Sequence, residues 1–125
     1  MFLVNPKSKQ PIYEQLVEQL RRQLTLGGME AGAAMPSVRQ LASELGINPN
    51  TIQKAYRRME EEGMIESVPG RGSFVTENLA QIVEKQRREQ LGKAEMTIRT
   101  CKEMGLSKDD ILILVENAYR EGENC

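Results

Sequence analysis

The chain has 125 residues, with 17 basic and 18 acidic side chains and a formal net charge of −1 at pH 7. It contains no histidine, which excludes triads and zinc sites built on histidine, and two cysteines are too few for a four-thiolate zinc site. We therefore expect no catalytic residue, no metal and no cofactor. The longest aliphatic run, Ile111–Val115, is far shorter than the roughly 20 residues of a membrane span.

No signal peptide is recognisable at the start of the chain. The apolar residues Met1–Val4 are followed at once by Asn5 and Pro6, so the stretch is too short for the apolar region of a signal peptide. We therefore expect a cytoplasmic protein in which Cys101 and Cys125 stay reduced. Two interpretations of Cys101 remain open, a small interface residue and a redox-sensitive thiol.

The composition changes near Thr76. No proline lies beyond Pro69, and the net charge changes from +1 over residues 1–76 to −2 over residues 77–125. This change predicts a compact domain over residues 1–76 and a helical tail over residues 77–125.

Three helices are expected in the first domain. Apolar residues at helical spacing predict a first helix over Ile12–Leu26. Ser37 and Gln40 have the spacing of a capping box and open a second helix, which Gly46 ends. Asn48 is a good N-cap for a third helix. The short glycine-containing turn between the second and third helices is typical of a helix-turn-helix.

Two short segments after the third helix alternate apolar and polar residues. Ile65–Val68 and Ser73–Thr76 predict a β-hairpin with a glycine-rich tip at Pro69–Gly72. Helical spacing then resumes over Asn78–Met104, and Ser107 caps a last helix. The predicted fold is mainly α with a small β-hairpin wing, namely a winged helix-turn-helix followed by a two-helix C-terminal appendage.

The polar face of the third helix has the side chains that a helix in the DNA major groove needs. Short polar groups near its start suit base edges, and cations further along suit phosphates: Asn50, Thr51 and Gln53 in the first group, and Lys54, Arg57 and Arg58 in the second. Arg71 at the hairpin tip suits a narrow minor groove. The N-termini of the second and third helices are expected to offer free N–H groups to phosphates.

The tail has an apolar stripe that must be covered. Two helices cannot enclose a ligand pocket by themselves, whereas a two-fold interface covers the stripe and places two recognition helices on DNA. We therefore expect a homodimer and leave a small-molecule effector undecided. The expected dimerisation residues are Leu79, Ile82, Val83, Leu91, Ile98, Ile111, Leu112, Leu114, Val115 and Tyr119.

Five segments carry a resemblance to a known family. Pro11–Gln15, Pro36–Ala42, Gly46–Tyr56, Glu62–Ile65 and Gly70–Val75 resemble the DNA-binding domain of GntR-family bacterial transcriptional regulators. The short helical tail is similar to that of the YtrA-like subfamily. The resemblance implies a homodimeric repressor on a palindromic operator of double-stranded DNA, often controlling its own operon and membrane-transporter genes.

The motifs of that family also imply particular DNA contacts. Arg39 would contact a base or phosphate from the second helix, Asn48 would act at the start of the third helix, and Gly70 would act at the wing. Together with the residues inferred from the polar face, the expected DNA-contact set is Ser37, Arg39, Asn48, Asn50, Thr51, Gln53, Lys54, Arg57, Arg58, Gly70, Arg71 and Gly72.

Two other functions compete with DNA binding. A winged helix can dock a protein partner through the same polar face, without sequence-specific DNA binding, and fold alone does not separate the two functions. Steep salt dependence of binding would separate them, because it is specific to phosphate contacts. An enzyme is disfavoured because the chain has no histidine and no recognisable catalytic motif.

Overall fold

The structure, a computed structural model, describes residues 2–122 as five helices and one antiparallel β-hairpin. The elements are α1 (Ile12–Thr25), α2 (Val38–Leu45), α3 (Pro49–Glu61), β1 (Ile65–Val68), β2 (Gly72–Val75), α4 (Leu79–Glu103) and α5 (Lys108–Glu121). This confirms the predicted fold class. The chain divides into two compact units, one ending at Gln86 and the other beginning at Arg87, so the first turns of α4 belong to the first unit.

The ends of α2 and α3 are set by local hydrogen bonds. Ser37 Oγ accepts from the Gln40 N–H at 3.0 Å, and Asn48 Oδ1 accepts from the Asn50 N–H at 2.8 Å. Gly46 ends α2 with φ at 66°, a left-handed conformation that strains residues with a Cβ. The capping box at Ser37 is only half formed, because within residues 2–122 the Gln40 side chain makes no return bond.

The core of the first unit lies between α1, α2, α3 and the wing. Leu16 and Leu20 of α1 are fully buried, as are Ile52 and Met59 of α3 and Val75 of β2. The buried residues of α1 and α3 follow helical spacing, so each helix buries one face and exposes the other. The packing of this core therefore determines which face of α3 is exposed.

The segment before α1 is attached through Gln15, a buried polar residue of that helix. Its Oε1 accepts from the Asn5 N–H at 2.9 Å. Its Nε2 donates to the carbonyl oxygens of Asn5 at 3.0 Å and Gln10 at 2.8 Å. Because every polar group of the amide is paired, the side chain is buried without the cost of an unsatisfied donor or acceptor.

The connection between α1 and α2 pairs with the wing instead of forming an isolated loop. The Val75 N–H donates to the Ala33 carbonyl at 2.8 Å, and the Gly32 N–H donates to the Val75 carbonyl at 2.9 Å. On its other edge β2 pairs with β1, with Val75 opposite Ile65. The wing strand is therefore held on both sides, which limits the freedom of the hairpin.

Tyr56 connects α3 to the start of α2. Its hydroxyl donates to the Pro36 carbonyl at 2.6 Å. Burial, followed by the negative charge of Glu44, raises the pKa of Tyr56 to about 12. In the unfolded chain a tyrosine titrates near 10. Between these two pH values the unfolded state binds fewer protons than the folded state, so the free energy of unfolding falls as the pH rises.

We therefore expect Tyr56→Phe to change stability in two ways. At pH 7 the variant lacks the bond to Pro36, which lowers the free energy of unfolding by about 1 kcal/mol. Above pH 10 its stability falls less steeply than that of the parent chain, because the titrating hydroxyl is gone. Urea unfolding between pH 7 and pH 11 measures both effects. An equal alkaline slope in the two proteins would contradict this assignment.

In the second unit the described side chains are exposed or half-buried. Ser107 forms a complete capping box at the start of α5, as Ser107 Oγ accepts from the Asp110 N–H while the Asp110 carboxylate accepts from the Ser107 N–H. Cys101 is a half-buried free thiol, and Cys125 lies outside the described residues. None of the helices in residues 2–122 is both long and apolar enough to cross a bilayer.

Candidate nucleic-acid interface

The exposed face of α3 carries the polar and basic residues expected from the sequence. Asn50, Gln53, Lys54 and Arg57 follow the i, i+3, i+4, i+7 spacing of one helix face, and all four are exposed. The opposite face is buried in the core. Thr51 lies at the edge and is half-buried. The helix thus presents a continuous polar surface, while its opposite face packs in the core.

Most cations of this surface have no carboxylate partner. Among residues 2–122, Arg39, Lys54, Arg57 and Arg71 form no ion pair. Arg58 differs, because its Nε lies 3.3 Å from Glu62 Oε2. These four cations remain available for phosphate oxygens without first breaking an ion pair. Arg58 would have to leave Glu62 to make the same contact.

The two helix starts differ in the N–H groups they offer. The expectation of free N–H groups at α3 is wrong. Pro49 has none, the Asn50 N–H is held by the Asn48 side chain, and the Thr51 N–H donates to the Asn48 carbonyl at 3.0 Å. At α2 the Ser37 cap takes only the third N–H group. Of these two helix starts, only that of α2 therefore leaves N–H groups free for an anion.

The wing tip is an exposed turn built on two glycines. Gly70 and Gly72 have φ of 76° and 109°, and no atom lies within 4 Å of the place where a Cβ would be. Glycine is therefore required here by backbone conformation and not by lack of space. The Arg71 N–H donates to the Val68 carbonyl at 2.9 Å, which closes the turn beneath the Arg71 side chain. The cation sits on a defined and exposed tip.

The residues expected at a dimer interface fall into two groups. Leu79 and Ile82, in the first turns of α4, pack against the core of the first unit, and Val83 beside them is half-buried. Their position within the first unit accounts for their apolar character. The remaining residues lie in the second unit, where Ile111 is half-buried and the others are exposed: Leu91, Ile98, Leu112, Leu114, Val115 and Tyr119.

One contact near the candidate interface has no signal in the sequence. The Nζ atom of Lys54 lies 4.1 Å from the centroid of the Tyr13 ring, in the geometry of a cation–π contact. Tyr13 belongs to α1 and is 41 positions away from Lys54 in the chain. Neither helical spacing nor charge patterning predicts such a pairing, because it depends on how α1 packs against α3.

The three helices, the glycine turn between α2 and α3, and the hairpin after α3 define a winged helix-turn-helix, a class that includes many DNA-binding proteins. The family model "Bacterial regulatory proteins, gntR family" matches residues 12–75. The chain belongs to this family, as its motifs predict.

Individual relatives support the assignment. The chain is 45% identical over 78 residues to the HTH-type transcriptional repressor YtrA of Bacillus subtilis, a match that covers 62% of this chain and 60% of that protein. A transcriptional regulator from Oenococcus oeni is similar over 95% of this chain and 99% of its own, with a TM-score of 0.76 and 28% identity. The AraR DNA-binding domain, solved in complex with operator ORX1, matches 60% of this chain and 93% of its own, with a TM-score of 0.52 and 27% identity.

Proposed function

We propose that this chain is a sequence-specific transcriptional repressor that binds a palindromic DNA operator as a homodimer. The observation that carries the proposal is the exposed face of α3, where polar residues and unpaired cations lie together on a helix whose other face is fully buried. The AraR domain, similar in fold, is bound to an operator. Within this proposal residues 1–76 bind DNA and residues 77–125 form the dimerisation tail.

The DNA-binding residues divide by the chemistry of their side chains. Asn50 and Gln53 carry amides that pair with the donor and acceptor atoms of a base edge in the major groove. Lys54 and Arg57 lie one turn further along, where they neutralise phosphates. Arg71 enters the adjacent minor groove from the wing tip. This division assigns sequence preference to the first pair and affinity to the cations.

The tail forms the contact between the two copies of the chain in this proposal. In the described part of the second unit, large apolar side chains such as Leu112, Val115 and Tyr119 are exposed, at 48%, 46% and 78% of their surface. Apolar surface of this kind is stabilised by burial, and a two-fold interface covers the same surface on both copies at once. A symmetric dimer then places two α3 helices on half-sites about 34 Å apart or a multiple of it.

We infer the biological role from this proposed arrangement and from the family resemblance. A dimer bound to an operator excludes other proteins from the same DNA, and the related YtrA protein is named a repressor. We infer a cytoplasmic protein without catalytic activity that acts on its own operon and on membrane-transporter genes. A protein-interaction module remains the second candidate, although the unpaired cations on α3 and at the wing favour DNA.

Selection from a pool of randomised DNA duplexes tests the proposal. The full chain is mixed with duplexes about 30 base pairs long, and the bound DNA is recovered and sequenced over several rounds. We expect an inverted repeat to be enriched, which we call the selected duplex. Enrichment of no sequence would contradict sequence-specific binding, and enrichment of a single unrepeated site would contradict the symmetric dimer.

We expect Arg57→Ala to weaken binding to the selected duplex chiefly through its salt dependence. Removing one phosphate contact makes the slope of log affinity against log salt less steep by about one unit for each copy of Arg57. Fluorescence anisotropy between low and moderate salt measures this slope. Arg120→Ala, which removes an exposed arginine of the tail, is the matched control and leaves the slope unchanged. Equal slopes in the parent chain and in Arg57→Ala would show that Arg57 does not contact a phosphate.

A further inference from the structure

Lys54 is held by an aromatic ring instead of a carboxylate. Its ammonium nitrogen lies 4.1 Å from the centre of the Tyr13 ring, and among residues 2–122 no acidic side chain pairs with it. Tyr13 is half-buried and packs against the core, whereas Lys54 is exposed. A flexible cation on the proposed DNA-binding face is therefore attached to a ring whose own position is fixed by packing.

The position of the ring is set by α1. The Tyr13 hydroxyl donates to Glu14 Oε1 at 3.2 Å. A second polar link joins the same pair of helices, because Arg21 Nη2 lies 2.5 Å from Glu62 Oε1 at the end of α3. Arg21 lies eight residues after Tyr13, and Glu62 lies eight residues after Lys54. The two links therefore run between α1 and α3 at the same spacing and in the same chain direction.

We propose that Tyr13 is a positioning residue for DNA binding, whose ring holds the Lys54 ammonium where it meets a phosphate. This inference rests on the proposed function. A free lysine side chain has many rotamers and loses that freedom when it binds. A ring that already restricts the ammonium removes part of this loss before DNA arrives. The ring face, with its partial negative charge, supplies the attraction, and the hydroxyl is not needed for it.

The test is a double-mutant cycle on the full chain. Tyr13→Leu removes the ring, and Tyr13→Phe keeps the ring but removes the hydroxyl. Each is made alone and together with Lys54→Gln, and each is measured by fluorescence anisotropy on the selected duplex over a range of salt concentrations. Tyr13→Met serves as a second variant without a ring, and urea unfolding of every variant establishes that the protein is folded.

We expect Tyr13→Leu to weaken binding about two- to five-fold per copy, the range of an exposed cation–π contact. Tyr13→Phe is expected to bind the selected duplex with the affinity of the parent chain. A lower affinity of this variant would indicate that the hydroxyl takes part. In the Lys54→Gln background Tyr13→Leu has no further effect, because the cation that the ring holds is gone. Lys54→Gln alone weakens binding and makes the salt slope less steep by about one unit per copy.

Other results overturn the inference in distinguishable ways. If Tyr13→Leu lowers the affinity by the same factor in the parent chain and in the Lys54→Gln variant, Tyr13 acts on folding or on DNA directly and not through Lys54. If Tyr13→Leu has no effect or strengthens binding, the ring does not position the cation for a phosphate. If Lys54→Gln changes neither affinity nor slope, Lys54 is not at the DNA interface, and this part of the proposed function fails together with the inference.

Discussion

Placing lysines in the exposed apolar surface of α5 is expected to dissociate the dimer and to weaken operator binding about 10²- to 10⁴-fold. The variant carries Leu112→Lys and Val115→Lys. Both side chains are about half exposed in the single chain, so we expect the substitutions to leave its own folding intact. In a two-fold interface each lysine is buried beside apolar groups or beside its symmetry mate, and an unpaired buried charge is strongly destabilising. The loss is large because one operator then has to recruit two independent monomers.

Lysine is chosen for this variant because of its charge. An added positive charge by itself strengthens contact with DNA, so a loss of affinity cannot arise from repulsion by phosphates. Asn117→Lys, at an exposed polar position of the same helix, is the matched control and is expected to stay dimeric. Sedimentation velocity measures the assembly state. A double-lysine variant that remains dimeric would place the dimer interface elsewhere.

Removing the amide of Gln53 is expected to cost about 1–3 kcal/mol of binding free energy on the selected duplex. Gln53 is exposed on α3 and does not contribute to the core, so Gln53→Ala leaves the fold unchanged. The amide pairs with two atoms of one base edge, and its loss relaxes the preference at one position in each half-site. Anisotropy on the selected duplex and on single-base variants of it measures both quantities.

A second glutamine is the control for this result. Gln81→Ala removes an exposed glutamine at the start of α4 and is expected to leave affinity and base preference unchanged. If Gln53→Ala weakens the selected duplex and a shuffled duplex equally, the amide contacts the DNA backbone and does not read a base. Asn50, which carries the same amide group one turn earlier on α3, would then be the residue expected to read a base.

The features of the fold that depend on neighbouring residues were predictable from the sequence. The first helix was expected over Ile12–Leu26 and forms over Ile12–Thr25. The caps at Ser37 and Asn48 form because a side-chain oxygen needs only an N–H two or three residues away. The left-handed Gly46 follows from its missing Cβ. These are local effects, and they define the helix-turn-helix.

The features that depend on packing between distant segments were not predictable. Gln15 has a polar side chain, yet it is buried because the segment before α1 folds back onto its amide. The pairing of Ala33 with Val75 joins a connection to a strand about 40 residues later, and the contact of Lys54 with Tyr13 joins two helices. Apolar spacing identifies which face of an element is buried but not which partner covers it.

The candidate DNA-binding face and the tail also combine features that the sequence predicts with features that depend on packing. The exposed residues of α3 and of the wing tip were expected from helical spacing and from the glycine-flanked turn. Apolar spacing in α4 predicts Leu79 and Ile82 as dimer contacts, and in the structure both pack against the core of the first unit. An apolar stripe on one helix indicates a face that packs against something, but it does not show whether the same chain or another molecule covers each residue.

Sequence-specific DNA binding is tested most directly by fluorescence anisotropy of the full chain on the selected duplex and on a shuffled duplex of the same composition. Both duplexes are titrated at low and at moderate salt. We expect tight binding to the selected duplex that weakens steeply with salt, and much weaker binding to the shuffled duplex. Equal weak binding to both, or no binding at low salt, would contradict the proposal and favour a protein-docking role for the α3 face.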